Sequence, residues 1–273
     1  MPDAAGDPNR FVVTKEHRRF TELCDAVRRE RYIGVCYGPP GVGKTQSARR
    51  YANWDDLHPH LRHSTLVSHI AEEVNVDART IFYTPKVHNT PRIIDNDVRT
   101  LQDRLGWLIE FEIADSNFKL TNVGTSGQRL VELLIVDEAD RLKTPSLEQL
   151  RAHHDRTGIG LILIGMPGIE RRLARYPQLY SRIGFAHEYR ALSSDELTFV
   201  LEHHWAAIGL TLSAGDFTDA EAISAVARIT NGNFRLVQRL FAQITRILEI
   251  NAITTISREV VETAREALII GSA

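Results

Sequence analysis

Gly38-Pro39-Pro40-Gly41-Val42-Gly43-Lys44-Thr45 is the stretch whose reading decides this chain. It fits the pattern G-x-x-x-x-G-K-[ST], the phosphate-binding loop. Its flanks fit as well. Tyr32-Ile33-Gly34-Val35-Cys36-Tyr37 is apolar and aromatic, like a buried strand, and Gln46 to Ala52 reads as the opening of a helix. A strand that enters a glycine-rich turn and leaves as a helix aims successive backbone N–H groups at one point. The positive end of the helix dipole reaches the same point, so a triphosphate can sit there. The pattern assigns Gly38 to Thr45, with Gln46, to binding the cofactor. Lys44 reaches the β- and γ-phosphates, and the Thr45 hydroxyl ligates Mg²⁺.

A second stretch answers the first. Val131-Glu132-Leu133-Leu134-Ile135-Val136 runs directly into Asp137-Glu138-Ala139-Asp140. An apolar strand ending in Asp-Glu is the Walker B pattern. Asp137 is then expected to hold Mg²⁺ through water or Thr45, and Glu138 to activate the attacking water. Alone, the stretch reads equally well as a strand closing in a solvated acidic turn. The phosphate loop upstream makes the catalytic reading the better one.

Composition sets the outer bounds. The chain has 273 residues, 43% hydrophobic and 25% charged, which suits a globular protein with a sizeable core. A formal charge of −2 means that any nucleic-acid contact must use a local patch. Cys24 and Cys36 lie in apolar, element-like contexts, which suggests a reducing compartment rather than a disulfide framework. No apolar run is long enough to span a bilayer and no signal-peptide pattern is visible, so a cytoplasmic protein without membrane partners is expected.

The rest of the chain alternates strands and helices, then turns helical. Residues 1–10 read as a loose leader. Lys15 to Glu30 reads as a helix with Phe20, Leu23, Cys24 and Val27 on one face. Trp54 to Arg62 reads as irregular and Leu66 to Val74 as a possible helix; His58, His60 and His63 read as surface histidines rather than a metal site. Thr80-Ile81-Phe82-Tyr83-Thr84 is a second strand candidate. An amphipathic helix carrying Val98, Leu101, Leu105 and Leu108 follows, and Phe111 to Gln128 reads as a loop or hairpin. Thr144-Pro145 looks like an N-cap with Pro at the first helical position, starting a helix to His154. Gly160 to Ile164 is a buried strand, Ile169 to Tyr176 is a short, basic helix with Gln178 to Arg182 following Pro177, and Phe185 to Tyr189 is a short strand candidate. Capping boxes at Ser193/Glu196 and Thr218/Glu221, a break at Asn231-Gly232 before a helix from Phe234 to Glu249, and a Ser257 cap mark four helices. The expected organisation is a leader over residues 1–10, an α/β nucleotide-binding domain over residues 11–191, and a small all-α domain over residues 192–273.

Phosphate loop, Walker B and a C-terminal helical lid together resemble an AAA+ ATPase. The resemblance covers roughly residues 11–265. Leu134-Ile135-Val136-Asp137-Glu138-Ala139-Asp140-Arg141-Leu142-Lys143, Leu161 to Gly165 and Leu173 to Phe185 are similar to the ATP-binding regulators of DNA transposition of the TnsC/TniB group, with MuB-type proteins as more distant relatives. This resemblance implies a P-loop parallel sheet sandwiched by helices, with ATP and Mg²⁺ as cofactors. It implies assembly as a homo-oligomer, ring or helical filament, on duplex DNA, with recruitment or activation of a transposase. By position it makes Arg182 the arginine offered to a neighbouring subunit's γ-phosphate and Arg235 the sensor-2 arginine. DNA contact falls between the second and third strands, with Lys86, Arg92, Lys119 and Thr121 as candidates.

One position departs from the family. A polar sensor-1 residue is expected after the fourth strand, and Gly165-Met166-Pro167 offers none. A thioether orients water poorly. The first reading is therefore a DNA-binding ATPase that regulates transposition, with slow or stimulated hydrolysis. The alternatives are a nucleotide-switched scaffold with little turnover, or a replication-initiation or helicase-loading protein.

Overall fold

The computed structural model describes residues 11–62, 74–113, 127–213 and 215–268. Five strands form one parallel sheet: β1 (Ile33–Tyr37), β2 (Thr80–Tyr83), β3 (Leu133–Val136), β4 (Gly160–Gly165) and β5 (Ile183–Glu188). Their order is β2-β3-β4-β1-β5, with every pairing parallel. The inner strands are continuous apolar runs because helices cover both faces of such a sheet. Leu133 to Val136 and Gly160 to Gly165 are buried throughout, whereas β5, at an edge, alternates half-buried and exposed.

Register positions the site. Tyr37 pairs with Gly165, and Val136 pairs with Leu163. The carboxyl ends of β1, β4 and β3 therefore emerge along one edge of the sheet. Gly38, the residues after Gly165 and the acidic pair after Val136 are delivered side by side, where open parallel sheets bind ligands.

The helices of the first part of the chain are α1 (Lys15–Glu30), α2 (Lys44–Tyr51), α3 (Trp54–Arg62), α4 (Pro91–Ile113), α5 (Thr144–Thr157), α6 (Ile169–Leu173) and α7 (Pro177–Tyr180). Helix α3 corrects the irregular reading of Trp54 to Arg62. Pro59 lies inside it and removes one backbone donor. Trp54, Leu57 and Leu61 nevertheless bury one stripe, and Asp55 and Asp56 favour the first turn. Helix α5 begins one residue earlier than its proline suggests: Lys143 is the N-cap, and the Thr144 hydroxyl bonds the Tyr176 hydroxyl at 2.7 Å. Residues 66–73 of the possible helix, and most of the stretch from Phe111 to Gln128, lie outside the described residues.

The remaining helices are α8 (Ser194–Ala207), α9 (Phe217–Thr230), α10 (Phe234–Asn251) and α11 (Arg258–Glu266). They enclose their own core of Leu197, Leu201, Trp205, Val226, Leu240, Phe241, Ile244 and Val261. Ser193 and Glu196 form the expected capping box, and the Ser257 side chain accepts from Val260 N–H. At α9 the cap is Asp216, not Thr218. Its carboxylate accepts from the N–H groups of Thr218 and Asp219, a stronger acceptor two residues earlier.

Contacts divide the chain into two compact units. One holds Arg19–Gly38 and Lys44–Tyr189; the other holds the described residues up to Arg18, Pro39–Gly43 and the helices from Arg190 on. The segments before Arg19 join the helical unit through specific bonds: Lys15 N–H donates to Glu196 Oε1 at 2.9 Å, and Arg190 N–H to Glu16 Oε2 at 3.2 Å.

Candidate nucleotide site

In the α/β unit, Lys44 opens α2 with its side chain only 8% exposed, and its Nζ donates to the Gly38 carbonyl at 2.6 Å. The Thr45 hydroxyl donates to Asp137 Oδ2 at 2.7 Å. The other Asp137 oxygen accepts the Glu138 N–H at 2.9 Å. The fold thus joins the start of α2 to the end of β3 through one hydroxyl and one buried carboxylate. Gln46 is exposed on the first turn of α2. Behind it, Ser47 Oγ and the Tyr189 hydroxyl lie 2.8 Å apart and tie α2 to the chain leaving β5.

The tip of the loop belongs to the helical unit and is held there by α10. Arg235 N–H donates to the Gly41 carbonyl at 2.9 Å, and Asn233 Nδ2 donates to the Pro40 carbonyl at 2.9 Å. Asn233 is also the N-cap of α10, its Oδ1 accepting from Leu236 N–H. Gly41 has φ +81° and Gly43 φ +114°, a region L-residues rarely adopt. Sequence reasoning missed Asn233. Its cap is legible as a residue type before a helix, but its hold on Pro40 depends on a neighbour far away in the chain.

Glu138 follows Asp137 in the left-handed region, φ +50°, and starts the tight turn Ala139–Arg141. Non-glycine residues held there cluster at functional sites. Its carboxylate is ion-paired with the Arg141 guanidinium, which also donates to the Pro85 carbonyl at 3.4 Å. Met166 is 40% exposed, and its N–H donates to Asp140 Oδ2 at 2.8 Å.

Arg182 lies elsewhere. Its carbonyl accepts from Ile33 N–H, at the start of β1, whereas the phosphate loop follows the end of β1. It is therefore at the opposite end of the sheet from Lys44 and Asp137, a five-residue strand or roughly 15 Å away. Its guanidinium pairs with Asp155 at 2.6 Å and also bonds the Gln178 carbonyl. Burial works against charge on Asp155, but the Arg182 and Arg151 guanidinium groups outweigh it and hold its pKa below the ordinary carboxylate value. Of the DNA candidates, Lys86 pairs with Asp97 at 3.3 Å and Arg92 is exposed on the first turn of α4. Lys119 and Thr121 lie outside the described residues. His58 stacks on Trp54, ring centroids 5.1 Å apart.

A family model described as an AAA domain matches residues 27–173. The chain belongs to this family. A potential ATP-binding protein of Staphylococcus aureus is 46% identical over 96% of this chain and 97% of its own length. The DNA transposition protein B of a Mu-like prophage in Haemophilus influenzae is 26% identical, covering 85% of this chain and 71% of that protein. The ATP-dependent target DNA activator B of phage Mu is 29% identical over 65% of this chain and 50% of its own. Among solved structures, the Thermotoga maritima RuvB branch migration motor superposes with a TM-score of 0.58 at 18% identity, covering 96% of this chain and 71% of RuvB. Aeropyrum pernix ORC2 gives 0.56 at 16%, covering 97% and 72%. These two likenesses show the fold alone. The chain is an AAA+ ATP-binding protein related to the Mu transposition protein B. Among its described residues no helix is long and apolar enough to cross a membrane.

Proposed function

We propose that this AAA+ protein binds Mg²⁺-ATP, assembles with further copies on duplex DNA, hydrolyses the nucleotide, and recruits or activates a transposase. The observation that carries the reading is the Thr45–Asp137 pair. A hydroxyl and a buried carboxylate stand 2.7 Å apart, next in the chain to a buried lysine and to a loop with two positive-φ glycines. These are the oxygen donors and the phosphate cradle that a magnesium nucleotide takes. Mg²⁺ would neutralise charge on the phosphates. Thr45 and Asp137 would hold it, Lys44 and the loop N–H groups would hold the phosphates, and Glu138 would accept the proton of the attacking water.

In this reading Arg182 acts on a neighbour's nucleotide, because it stands at the wrong end of its own sheet. Arg235, fixed beside Gly41, senses the bound phosphate. The transposition relatives support the biological setting. Lys86 and Arg92 are proposed DNA contacts, with Lys119 and Thr121 alongside them. Backbone contacts of this kind make affinity fall steeply with salt. A cytoplasmic setting is part of the same proposal, as is the extent of the nucleotide-binding and lid domains at residues 11–191 and 192–273.

The test is ATP turnover by the purified protein at low salt, with and without long duplex DNA. Turnover that rises with DNA supports a site completed by assembly on DNA. Nucleotide binding without turnover in either condition would replace this reading with the switched scaffold. That second reading is favoured by Met166 at the end of β4 and by the Glu138 carboxylate being paired to Arg141.

A further inference from the structure

The carboxyl end of β4 lies between the ends of β1 and β3, so a polar group there stands beside the strand end that leads into Glu138. Met166 brings no such side chain. The polar group at this place comes from Asp140. Its Oδ2 accepts the Met166 N–H at 2.8 Å. A Cβ on Gly165 would lie 2.9 and 3.0 Å from its two carboxylate oxygens, so the carboxylate is packed against the strand end. The Asp140 carbonyl accepts from the Arg172 guanidinium at 3.1 Å, and Arg172 also bonds the Leu142 carbonyl. The turn that Glu138 begins is thus gripped by β4 on one side and α6 on the other. Within it, Arg141 N–H returns to the Glu138 carbonyl at 3.0 Å.

We propose that Asp140 is a positioning residue for hydrolysis: its carboxylate, holding the Met166 N–H, locks the Glu138 turn to the end of β4. This rests on the reading of Glu138 as the group that activates water. In this role Asp140 acts through the backbone it fixes. Because general-base catalysis depends on placing the base within hydrogen-bond reach, a shift of about 1 Å in Glu138 can cost ~100-fold in rate.

The experiment compares wild type, Asp140→Ala and Asp140→Asn in ATP turnover with duplex DNA, in titration with a fluorescent ATP analogue, and in thermal melting. Asp140→Ala is expected to lower kcat about 10- to 100-fold with KM within about 2-fold of wild type, the signature of an interaction realised only in the transition state. Asp140→Asn keeps an oxygen that can accept the Met166 N–H and is expected to stay within about 3-fold of wild-type kcat. A kcat unchanged in Asp140→Ala overturns the inference, as does an equal loss in Asp140→Asn, which would point to charge rather than the bond. Should Asp140→Ala not fold, Asp140→Ser reads the same split, because its hydroxyl is too short to reach. A wild-type protein that never turns over sinks the hydrolysis reading itself, and this inference with it. Turnover in wild type with no effect at Asp140 sinks this inference alone.

Discussion

Replacing Gly41 by alanine should weaken ATP binding by a calculable amount. Gly41 has φ +81°, where an L-residue costs about 1–2 kcal/mol. The new Cβ would lie 2.5 Å from Asn233 Oδ1 and 3.1 Å from Arg235 Cβ. Asn233 cannot swing away freely, because its Oδ1 caps α10 and its Nδ2 holds the Pro40 carbonyl. Moving it forfeits a helix cap worth about 1 kcal/mol. The total is about 2–3 kcal/mol, or ~30- to 150-fold in affinity at 1.4 kcal/mol per decade. The loss should fall on binding rather than folding. A short loop relaxes into another conformation more easily than the domain unfolds, and only the nucleotide-bound state requires the original path. Titration with a fluorescent ATP analogue, beside a thermal melt, measures both. A second variant isolates the clash. Asn233→Gly removes the obstructing oxygen, and glycine at an N-cap costs only a few tenths of a kcal/mol. Gly41→Ala with Asn233→Gly should therefore recover roughly 3- to 5-fold of the lost affinity, leaving the backbone share. An affinity unchanged in Gly41→Ala, or no recovery in the double variant, would refute the reasoning.

Three further outcomes are expected. Glu138→Gln should keep ATP binding within about 3-fold and reduce turnover by ~100-fold or more, prolonging assembly on DNA in a sedimentation assay; a variant that cannot bind ATP would remove Glu138 from the role of base. Arg182→Ala should leave nucleotide affinity of the isolated chain unchanged and cut DNA-stimulated turnover by about 10³-fold; undiminished turnover would move the finger to another arginine. Stability should fall in acid through His153. Burial, reinforced by the Arg156 guanidinium, lowers its pKa from 6.5 to about 4. Arg156 lies 3.1 Å from Nδ1 and Gln102 Oε1 lies 2.9 Å from Nε2, so the bonds fit a neutral ring with the proton on Nε2. A lowered folded pKa contributes stability fully present above the unfolded value of 6.5 and lost as pH falls toward about 4. A melting temperature in His153→Gln that drops between pH 7 and pH 5 as steeply as wild type would assign the acid sensitivity elsewhere.

The legible part of this protein is the part where chemistry restricts residue type. Phosphate binding needs glycines at Gly41 and Gly43, a cation at Lys44 and a hydroxyl at Thr45, and a buried parallel strand needs an unbroken apolar run such as Leu133 to Val136. Those demands are local in sequence, and so is their signature. Helix α3 is obscured because Pro59 argues against a helix while the buried stripe of Trp54, Leu57 and Leu61 stabilises one only through tertiary packing. The α9 cap falls at Asp216 rather than Thr218 because both offer an acceptor at helical spacing and only the backbone path chooses between them. Asn233, Asp140 and Arg141 act on partners that the fold supplies: Pro40, Met166 and Pro85. No pattern of neighbours announces such bonds. Arg182 is singled out only by resemblance, and what the structure adds is its place beside the start of β1.

That place has a consequence for symmetry. Every strand of the sheet runs the same way, so one end carries the phosphate loop and the other carries Arg182. If Arg182 serves a neighbour's phosphates, the joining surfaces are two different patches. A two-fold dimer meets such a contact twice only where both unlike patches share one face, and here they stand at opposite ends of the sheet. Under that proposed role the contact would be heterologous, head to tail, and each added subunit would leave one vacant phosphate end and one unused arginine. Such an array stops only by closing on itself or by running out of track. Its end subunits differ from all the others in having one completed neighbour instead of two, so removal of subunits would begin there.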